Sequence, residues 1–230
     1  MFLSAEEFSA LSLSIKIALW SVAAVLMPGI GLGWLLARRQ FRGKVFLEAI
    51  VHIPLVLPPV VTGYVLLLGF GRNGWIGKWL DAWLGVQIAF TWKGAVIASA
   101  VMSLPLMVRA VRLSMSLIES RLEQAASTLG AGPLRVFFTV TLPLAAPGIL
   151  TGAMLSFARS LGEFGATITF VGNIQGETRT LPLALYTYTQ TPGADEPALR
   201  LVWISVAAAF AALFGSELIT RRAERRLSGD

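Results

Sequence analysis

Residues 122–143 read LEQAASTLGAGPLRVFFTVTLP, and this stretch is much less apolar than the sequence on either side of it. Leucine or alanine recurs at positions i, i+3, i+4 and i+7, namely Leu122, Ala125, Ala126 and Leu129. That spacing predicts a short helix with one apolar face, and Gly130 follows where a glycine commonly ends a helix. A helix this short cannot bury its own face. The face therefore packs either against the chain's own bundle, which periodicity alone favours, or against another protein.

The composition around this stretch is that of a membrane protein. The chain has 230 residues, of which 55% are hydrophobic and 14% are charged, whereas soluble domains carry about 25% charged residues. A helix needs about 20 apolar residues to cross a bilayer, so the chain has room for about five spans and their loops. We therefore predict an all-α integral membrane protein in which residues 1–230 form a single transmembrane domain.

Five apolar runs are long enough to cross a membrane. They lie at roughly residues 11–37, 46–70, 90–108, 136–157 and 201–220, and we call the polar residues 114–135 between the third and fourth runs the ledge. Two shorter apolar pieces, Gly165–Ile174 and Leu181–Tyr188, cannot cross alone, which favours interfacial or re-entrant segments over a sixth span. Three Trp residues within 71–88 predict a surface helix at the membrane boundary.

The basic residues predict the orientation of the chain. The loops at 38–45, 109–135 and 221–230 carry twelve of the 19 Lys and Arg residues, and the other side of the predicted topology carries seven. Cytoplasmic loops are the ones enriched in Lys and Arg, so we expect the N-terminus outside, the C-terminus inside and the ledge in the cytoplasm. Because the net charge of +6 is placed at helix ends, it indicates membrane lipid as the partner, and no nucleic acid.

Several kinds of site are excluded by the residues present. The chain has no cysteine and one histidine, His52, which argues against a thiolate or multi-histidine metal site. It contains no G-x-x-x-x-G-K-[ST], H-E-x-x-H or G-x-S-x-G pattern, so we predict no catalytic residue, no metal and no cofactor bound by this chain. Gly29 and Gly33 lie inside an apolar run, where close helix packing is a better interpretation than dinucleotide binding.

A candidate translocation path begins in the second run. Three prolines, Pro54, Pro58 and Pro59, remove backbone donors there, and such broken helices are typical of transport pathways, although a plain structural kink is the alternative. Near the predicted outer mouth, hydroxyl groups and charged residues suit a transient anion path. The candidate residues are Pro54, Pro58, Pro59, Thr62, Arg159, Ser160, Glu163, Thr167 and Thr169. For Arg159 and Glu163, four residues apart, an ion pair is the alternative to a substrate contact.

The ledge resembles a motif of ABC importer permeases. Its Ala-Ala pair, the glycine four residues on, and Val140-Thr141-Leu142-Pro143 after nine further residues are similar to Glu-Ala-Ala-x-x-x-Gly-x9-Ile-x-Leu-Pro. The chain departs from this pattern because Gln124 precedes the pair and Glu123 comes one residue earlier. The resemblance implies a coupling helix that docks on a cytoplasmic ATPase, with shape at the Ala pair and Gly130 mattering more than charge. Its residues are Leu122, Glu123, Gln124, Ala125, Ala126, Leu129, Gly130 and Pro143.

Longer stretches resemble the molybdate permeases. They are IPLVLPPVVTGYVLLLGFGR at 53–72, SLPLMVRAVRLS at 103–114, LEQAASTLGAG at 122–132 and ARSLGEFGATITFVGNIQGETRTLPLALYT at 158–187. Sulfate/thiosulfate permeases share a looser version, and the resemblance covers about residues 11–220. It implies a type I ABC importer permease core in the bacterial inner membrane that carries a tetrahedral oxyanion. Molybdate is the oxyanion that the resemblance favours, with tungstate or sulfate as alternatives.

The same resemblance implies the partners of the chain. They are a second copy in a homodimer, two cytoplasmic ATPase subunits that hold ATP and Mg, and a periplasmic oxyanion-binding protein. Two alternatives come from other classes of membrane protein. A passive anion channel needs no docking ledge, and a membrane anchor subunit leaves the proline-broken second run without a role.

Overall fold

The structure is a computed structural model that describes the backbone of residues 4–228 and the side chains of residues 4–215 and 218. The predicted single domain includes residues 1–3 and 229–230, and the predicted cytoplasmic tail includes the side chains of residues 221–228. These parts lie outside the described residues. Within the described part the chain is helical, and no strand occurs in it.

Twelve α-helices and one π-helical segment make up the described chain. They are α1 (Ala5–Arg38), α2 (Lys44–Val56), α3 (Pro59–Phe70), α4 (Trp75–Leu84), α5 (Trp92–Leu117), α6 (Ser120–Thr128), α7 (Pro133–Val136), the π segment (Phe137–Thr141), α8 (Leu142–Leu144), α9 (Ala146–Leu161), α10 (Gly165–Val171), α11 (Leu181–Thr189) and α12 (Asp195–Ser228).

Three of these helices are long and apolar enough to cross a membrane: α1, α5 and the Asp195–Gly215 part of α12. Two further spans arise if each of two bent pairs counts as one. The pair α2 and α3 bends by 112°, and the segment Pro133–Leu144 bends by 67° against α9. The described chain therefore has three to five candidate spans, and the predicted break in the second run is confirmed.

The helix of the third run extends further than the sequence predicted. We expected this span to end near residue 108 and the ledge to begin at residue 114, but α5 continues to Leu117. Arg112 lies within this helix, and its guanidinium forms an ion pair with Glu48 of α2 at the edge of the bundle. The ledge is therefore shorter than predicted, and its helix is α6.

Helices α1 and α5 form the centre of the bundle and run in the same direction. At one end, Lys16 Nζ lies 3.7 Å from the centre of the Trp92 ring. At the other end, Arg38 Nη2 donates to the carbonyl of Ile118 at 3.1 Å. Between these ends, Ser21 Oγ donates to the carbonyl of Val96. We refer to the two ends of the bundle as the Lys16 end and the Arg38 end.

Because α1 and α5 are parallel, the chain between them must return from the Arg38 end to the Lys16 end. Helix α2 begins that return, since Val51 packs against Leu36 and Val108. Helix α3 completes it, since Phe70 packs on Phe170. The bent pair therefore covers the length of the bundle once.

The remaining helices cover the length of the bundle in both directions. Helix α9 runs antiparallel to α5, and Ser156 Oγ donates to the carbonyl of Ser103. The two short apolar pieces of the sequence form α10 and α11, as predicted for segments that do not cross alone. Helix α12 then starts at the Lys16 end, where Arg200 Nε lies 2.8 Å from Glu7 Oε1.

The surface helix predicted from the Trp residues is α4. Its Trp75, Trp79 and Trp83 are all exposed, and the last two rings stack on each other. The helix follows Phe70 and therefore lies at the Lys16 end, where its Gly77 packs against the backbone of Phe70 and Gly71. Exposed indoles at such a position are suited to a membrane–water boundary.

Close packing of α1 on α5 requires glycine at position 33, as the sequence predicted. A Cβ added at Gly33 would lie 2.6 Å from Val111 Cγ1 and 3.1 Å from the backbone nitrogen of Arg112, whereas one at Gly31 would meet nothing within 4 Å. We expect Gly33→Val to destabilise the protein by about 1–3 kcal/mol through overpacking. Thermal unfolding in detergent, compared with Gly31→Val as the matched control, measures this. Equal melting temperatures of the two variants would contradict the packing role.

Candidate coupling surface and translocation path

The C-terminus of α6 has the geometry of a glycine-capped helix. Gly130 has φ +87°, a conformation that L residues with a side chain rarely adopt. Its N–H donates to the carbonyl of Ser127 at 3.0 Å, and the N–H of Ala131 donates to the carbonyl of Ala126 at 3.1 Å. This pair of bonds is the Schellman motif, so the predicted end of the helix at Gly130 is confirmed.

The apolar face of α6 is left uncovered by the rest of the chain. Leu129 is 89% exposed and Leu122 is 48% exposed. Ala125 is exposed as well, and Ala126 is half-buried. Because no residue of α6 is buried, packing of this face within the chain's own bundle, which periodicity alone favoured, is wrong. The helix lies beyond the Arg38 end of the bundle, where no other helix of the described chain covers it.

One side chain of α6 turns back towards the bundle. Glu123 forms an ion pair with Arg38 of α1, with 3.1 Å between Oε1 and Nη2, and accepts a 2.6 Å hydrogen bond from Thr141 Oγ1. Gln124, which occupies the first position of the resembled motif, is exposed. The sequence pointed to Glu123 but not to its partners. Arg38 lies 85 positions before Glu123 and Thr141 lies 18 positions after it, and no local spacing connects residues so far apart.

The segment after α6 extends the exposed apolar surface. Leu134 and Phe138 are exposed, while Phe137 packs edge-on against Trp34 of α1. Residues Phe137–Thr141 form the π turn, in which the N–H of Leu142 donates to the carbonyl of Phe137. Pro143 follows directly and is exposed. The motif residue Pro143 therefore lies where the chain bends into α9.

The candidate path residues fall into two groups. One group lies in and around the close contact of α3 with α10: Pro59 and Thr62 belong to α3, Thr167 and Thr169 belong to α10, and Arg159, Ser160 and Glu163 lie at the end of α9 and in the turn before α10. The closeness is set by glycines, because a Cβ added at Gly63 would lie 2.5 Å from the carbonyl oxygen of Ala166. The other two residues are Pro54, inside α2, and Pro58, which lies at the 112° bend and directly precedes Pro59.

The charged pair of this region is satisfied internally. Arg159 and Glu163 form the ion pair that their spacing predicted, and the Glu163 side chain is 1% exposed. The other oxygen of Glu163 accepts a 2.8 Å hydrogen bond from the backbone nitrogen of Ala166. The positive charge of Arg159 is therefore balanced by Glu163. A guanidinium balanced in this way is expected to bind a passing anion only weakly.

The hydroxyl groups of the region differ in what they bind. Thr167 Oγ1 donates to the carbonyl of Phe164, and Thr169 Oγ1 donates to that of Gly165. The hydroxyls of Thr62 and Ser160 are buried and have no hydrogen-bond partner among the described residues. These two hydroxyls keep their full hydrogen-bonding capacity, and the two threonines of α10 do not. No group of three or more metal-binding side chains occurs in the described part of the chain.

Comparison with known proteins identifies the family of the chain. Residues 29–229 match the family model described as binding-protein-dependent transport system inner membrane component. The chain is similar to the molybdenum transport system permease protein ModB of Escherichia coli K12, with 55% identity over 98% of this chain and 99% of that protein. It is similar to the ModB of Haemophilus influenzae, with 54% identity over 96% of each chain.

A solved structure shares the fold. It is that of a bacterial alginate ABC transporter in complex with an alginate pentasaccharide-bound periplasmic protein. The TM-score is 0.76 at 17% identity, covering 96% of this chain and 80% of that one. At this identity the likeness concerns the arrangement of helices.

Proposed function

We propose, because the chain belongs to the family of binding-protein-dependent transport system inner membrane components, that it is the permease subunit of an ATP-driven molybdate importer. The observation that carries the substrate is the 55% identity to a molybdenum transport permease along nearly the full length of both chains. The chain is a translocation component of the inner membrane. ATP and Mg bind to a separate ATPase subunit, and a periplasmic protein delivers the oxyanion.

The proposed topology has five spans, with the N-terminus outside and the C-terminus inside. The parallel direction of α1 and α5 supports it, because the bent α2–α3 pair then makes one crossing between them. The distribution of charge supports it too. The basic loop after α1 lies at the Arg38 end with the ledge, and cytoplasmic loops are enriched in Lys and Arg. The Arg38 end is therefore the cytoplasmic side.

In this proposal α6 is the element that contacts the ATPase. Its exposed face of Leu122, Ala125 and Leu129 has no cover within the described chain and lies on the cytoplasmic side. The small side chain at Ala125 allows a groove on the ATPase to approach the helix backbone closely. Two copies of the permease, each with its own α6, give one contact for each of two ATPase subunits.

The proposed path uses hydroxyl groups in preference to fixed cations. A bare anion in the membrane interior has a high free energy, so it needs donors along its way. Thr62 and Ser160 offer buried hydroxyls without partners, whereas Arg159 is neutralised by Glu163. Weak donors suit transport, because an ion that is bound tightly at one point leaves slowly.

The experiment is uptake into vesicles that contain the permease with its ATPase and binding protein. We expect molybdate uptake that requires ATP, competition by tungstate, and weaker competition by sulfate. The isolated permease should hydrolyse no ATP above background. Flux that persists without ATP would contradict the proposal in favour of a passive channel. Sulfate uptake at the molybdate rate would change the substrate to sulfate.

A further inference from the structure

A compact node of polar groups joins α6 to α1. Arg38 Nη2 lies 3.1 Å from Glu123 Oε1 and donates to the carbonyl of Ile118, also at 3.1 Å. Thr141 Oγ1 donates to the same Glu123 oxygen at 2.6 Å. The node therefore connects the end of α1, the turn after α5, the middle of α6 and the end of the π segment.

The node is the main tie between α6 and the bundle. Among the side chains of α6, that of Glu123 is the one that hydrogen-bonds or pairs with another element in the described part of the chain. The hydroxyls of Ser127 and Thr128 bond within α6 itself. The leucines of the apolar face are exposed, so they contribute little to holding the helix in place.

The environment of the node strengthens its electrostatics. The side chains of Arg38 and Glu123 are 18% and 22% exposed, so water screens their attraction only in part. Thr141 supplies a donor that fixes the orientation of the carboxylate. An ion pair with a neutral donor on the same oxygen resists rotation better than either contact alone. Pulling α6 away from the bundle therefore pulls directly on the last turn of α1.

Helix α1 can transmit such a pull along the whole bundle. It runs from the Arg38 end to the Lys16 end as one helix of 34 residues. Gly29 and Gly33 allow it to lie directly against Met107 and Val111 of α5. A displacement at Arg38 therefore reaches the packed centre of the molecule and not a flexible loop.

We propose that Arg38 and Thr141 are positioning residues for the coupling of ATP hydrolysis to transport. Glu123 then acts inside the permease, as the side chain that links α6 to α1. In this arrangement, movement of the ATPase reaches the membrane helices through the node. The charge at position 123 is not a contact with the ATPase, and exposed Gln124 is the residue beside that surface. This inference rests on the proposed docking role of α6.

The first test replaces Arg38 by methionine in the reconstituted complex. We expect Arg38→Met to keep ATP hydrolysis within about twofold of wild type. The ratio of molybdate uptake to ATP hydrolysed should fall about tenfold, and a tenfold change corresponds to about 1.4 kcal/mol. Thr141→Val, which keeps the side-chain shape, should lower the ratio about threefold. Arg42→Met is the matched control, since Arg42 is an exposed arginine of the loop that follows α1 and has no ion pair among the described residues. An unchanged ratio in Arg38→Met overturns the inference.

The second test asks whether the pair, and not Arg38 alone, carries the effect. The double variant Arg38→Glu, Glu123→Arg restores opposite charges, so its uptake per ATP should exceed that of either single variant. No recovery at all would overturn the assignment of the pair. If wild-type vesicles fail to take up molybdate, the proposed function fails and the node is judged by the third test.

The third test needs neither ATPase nor substrate. Amide hydrogen exchange of residues 120–128 reports local opening of α6 in the permease alone. We expect faster exchange there in Arg38→Met than in wild type, and no change in Arg42→Met. Equal exchange in all three proteins would show that the node does not hold α6, whatever the transport data show.

Discussion

Gly130→Val should lower ATP-driven molybdate uptake about tenfold while the chain remains folded in the membrane. Gly130 has φ +87°, and a Cβ added to it would meet nothing within 4 Å. The cost is therefore one of backbone conformation. An L residue in this region loses roughly 1–2 kcal/mol, and a β-branched residue is the least suited to it. A loss of that size shifts the equilibrium between capped and frayed α6 about 5- to 30-fold, and the frayed helix presents no ordered face to the ATPase.

The matched control for this substitution is Gly132→Val. Gly132 is also exposed and also has open space around its Cβ, but its φ is −66° and its ψ is 164°. Those angles are ordinary for valine and are favoured before Pro133. Uptake by Gly132→Val should stay within about twofold of wild type. If both variants transport equally well, the Gly130 cap has no role in coupling, even if the helix ends there.

Gly63→Val should abolish most uptake, with a loss of at least about tenfold, by separating α3 from α10. A Cβ at position 63 would lie 2.5 Å from the carbonyl oxygen and 2.9 Å from the Cα of Ala166. Backbone atoms cannot rotate aside as a long side chain does, so one of the two helices must move. Such overpacking costs about 1–3 kcal/mol, and occasionally more. It also displaces the neighbouring Thr62, one of the two unpartnered hydroxyls of the proposed path.

Uptake and thermal unfolding of Gly63→Val are compared with those of Gly69→Val on the same helix. The nearest atom to a Cβ added at Gly69 is Ile76 Cδ1 at 3.9 Å, which is ordinary contact. Both variants place a β-branched residue in α3, so the difference between them isolates the α3–α10 contact. Normal transport by Gly63→Val would mean that α3 and α10 need not touch during the transport cycle.

Much of this molecule follows from local sequence alone. The apolar runs predicted membrane-spanning helices, since a chain in lipid must satisfy its backbone hydrogen bonds within each segment. The end of α6 at Gly130 was predicted because only glycine adopts that conformation cheaply. The pair Arg159–Glu163 was predicted because residues four apart are neighbours on a helix. The break at Pro58 and Pro59 follows from their missing backbone donors.

Other features depended on residues far apart in sequence. The sequence placed a break in the second run, but its 112° angle depends on how α2 meets α5 and α3 meets α10. The third run was expected to end near residue 108, yet α5 continues to Leu117, and its Arg112 pairs with Glu48 of α2, 64 residues earlier. The bend angle and the partner of Arg112 are features that local propensity left open.

The ledge shows the same division most clearly. Its helix, its apolar face and its terminal glycine were determined by the sequence itself, because periodicity and backbone sterics act over a few residues. Which way the helix faces was decided only by the tertiary structure. The partner of Glu123 is Arg38, 85 residues earlier, and that contact turns the charge inward and leaves Leu122 and Leu129 uncovered. Long-range ion pairs leave no periodic pattern in a sequence, since they form only when packing brings the two chain segments together.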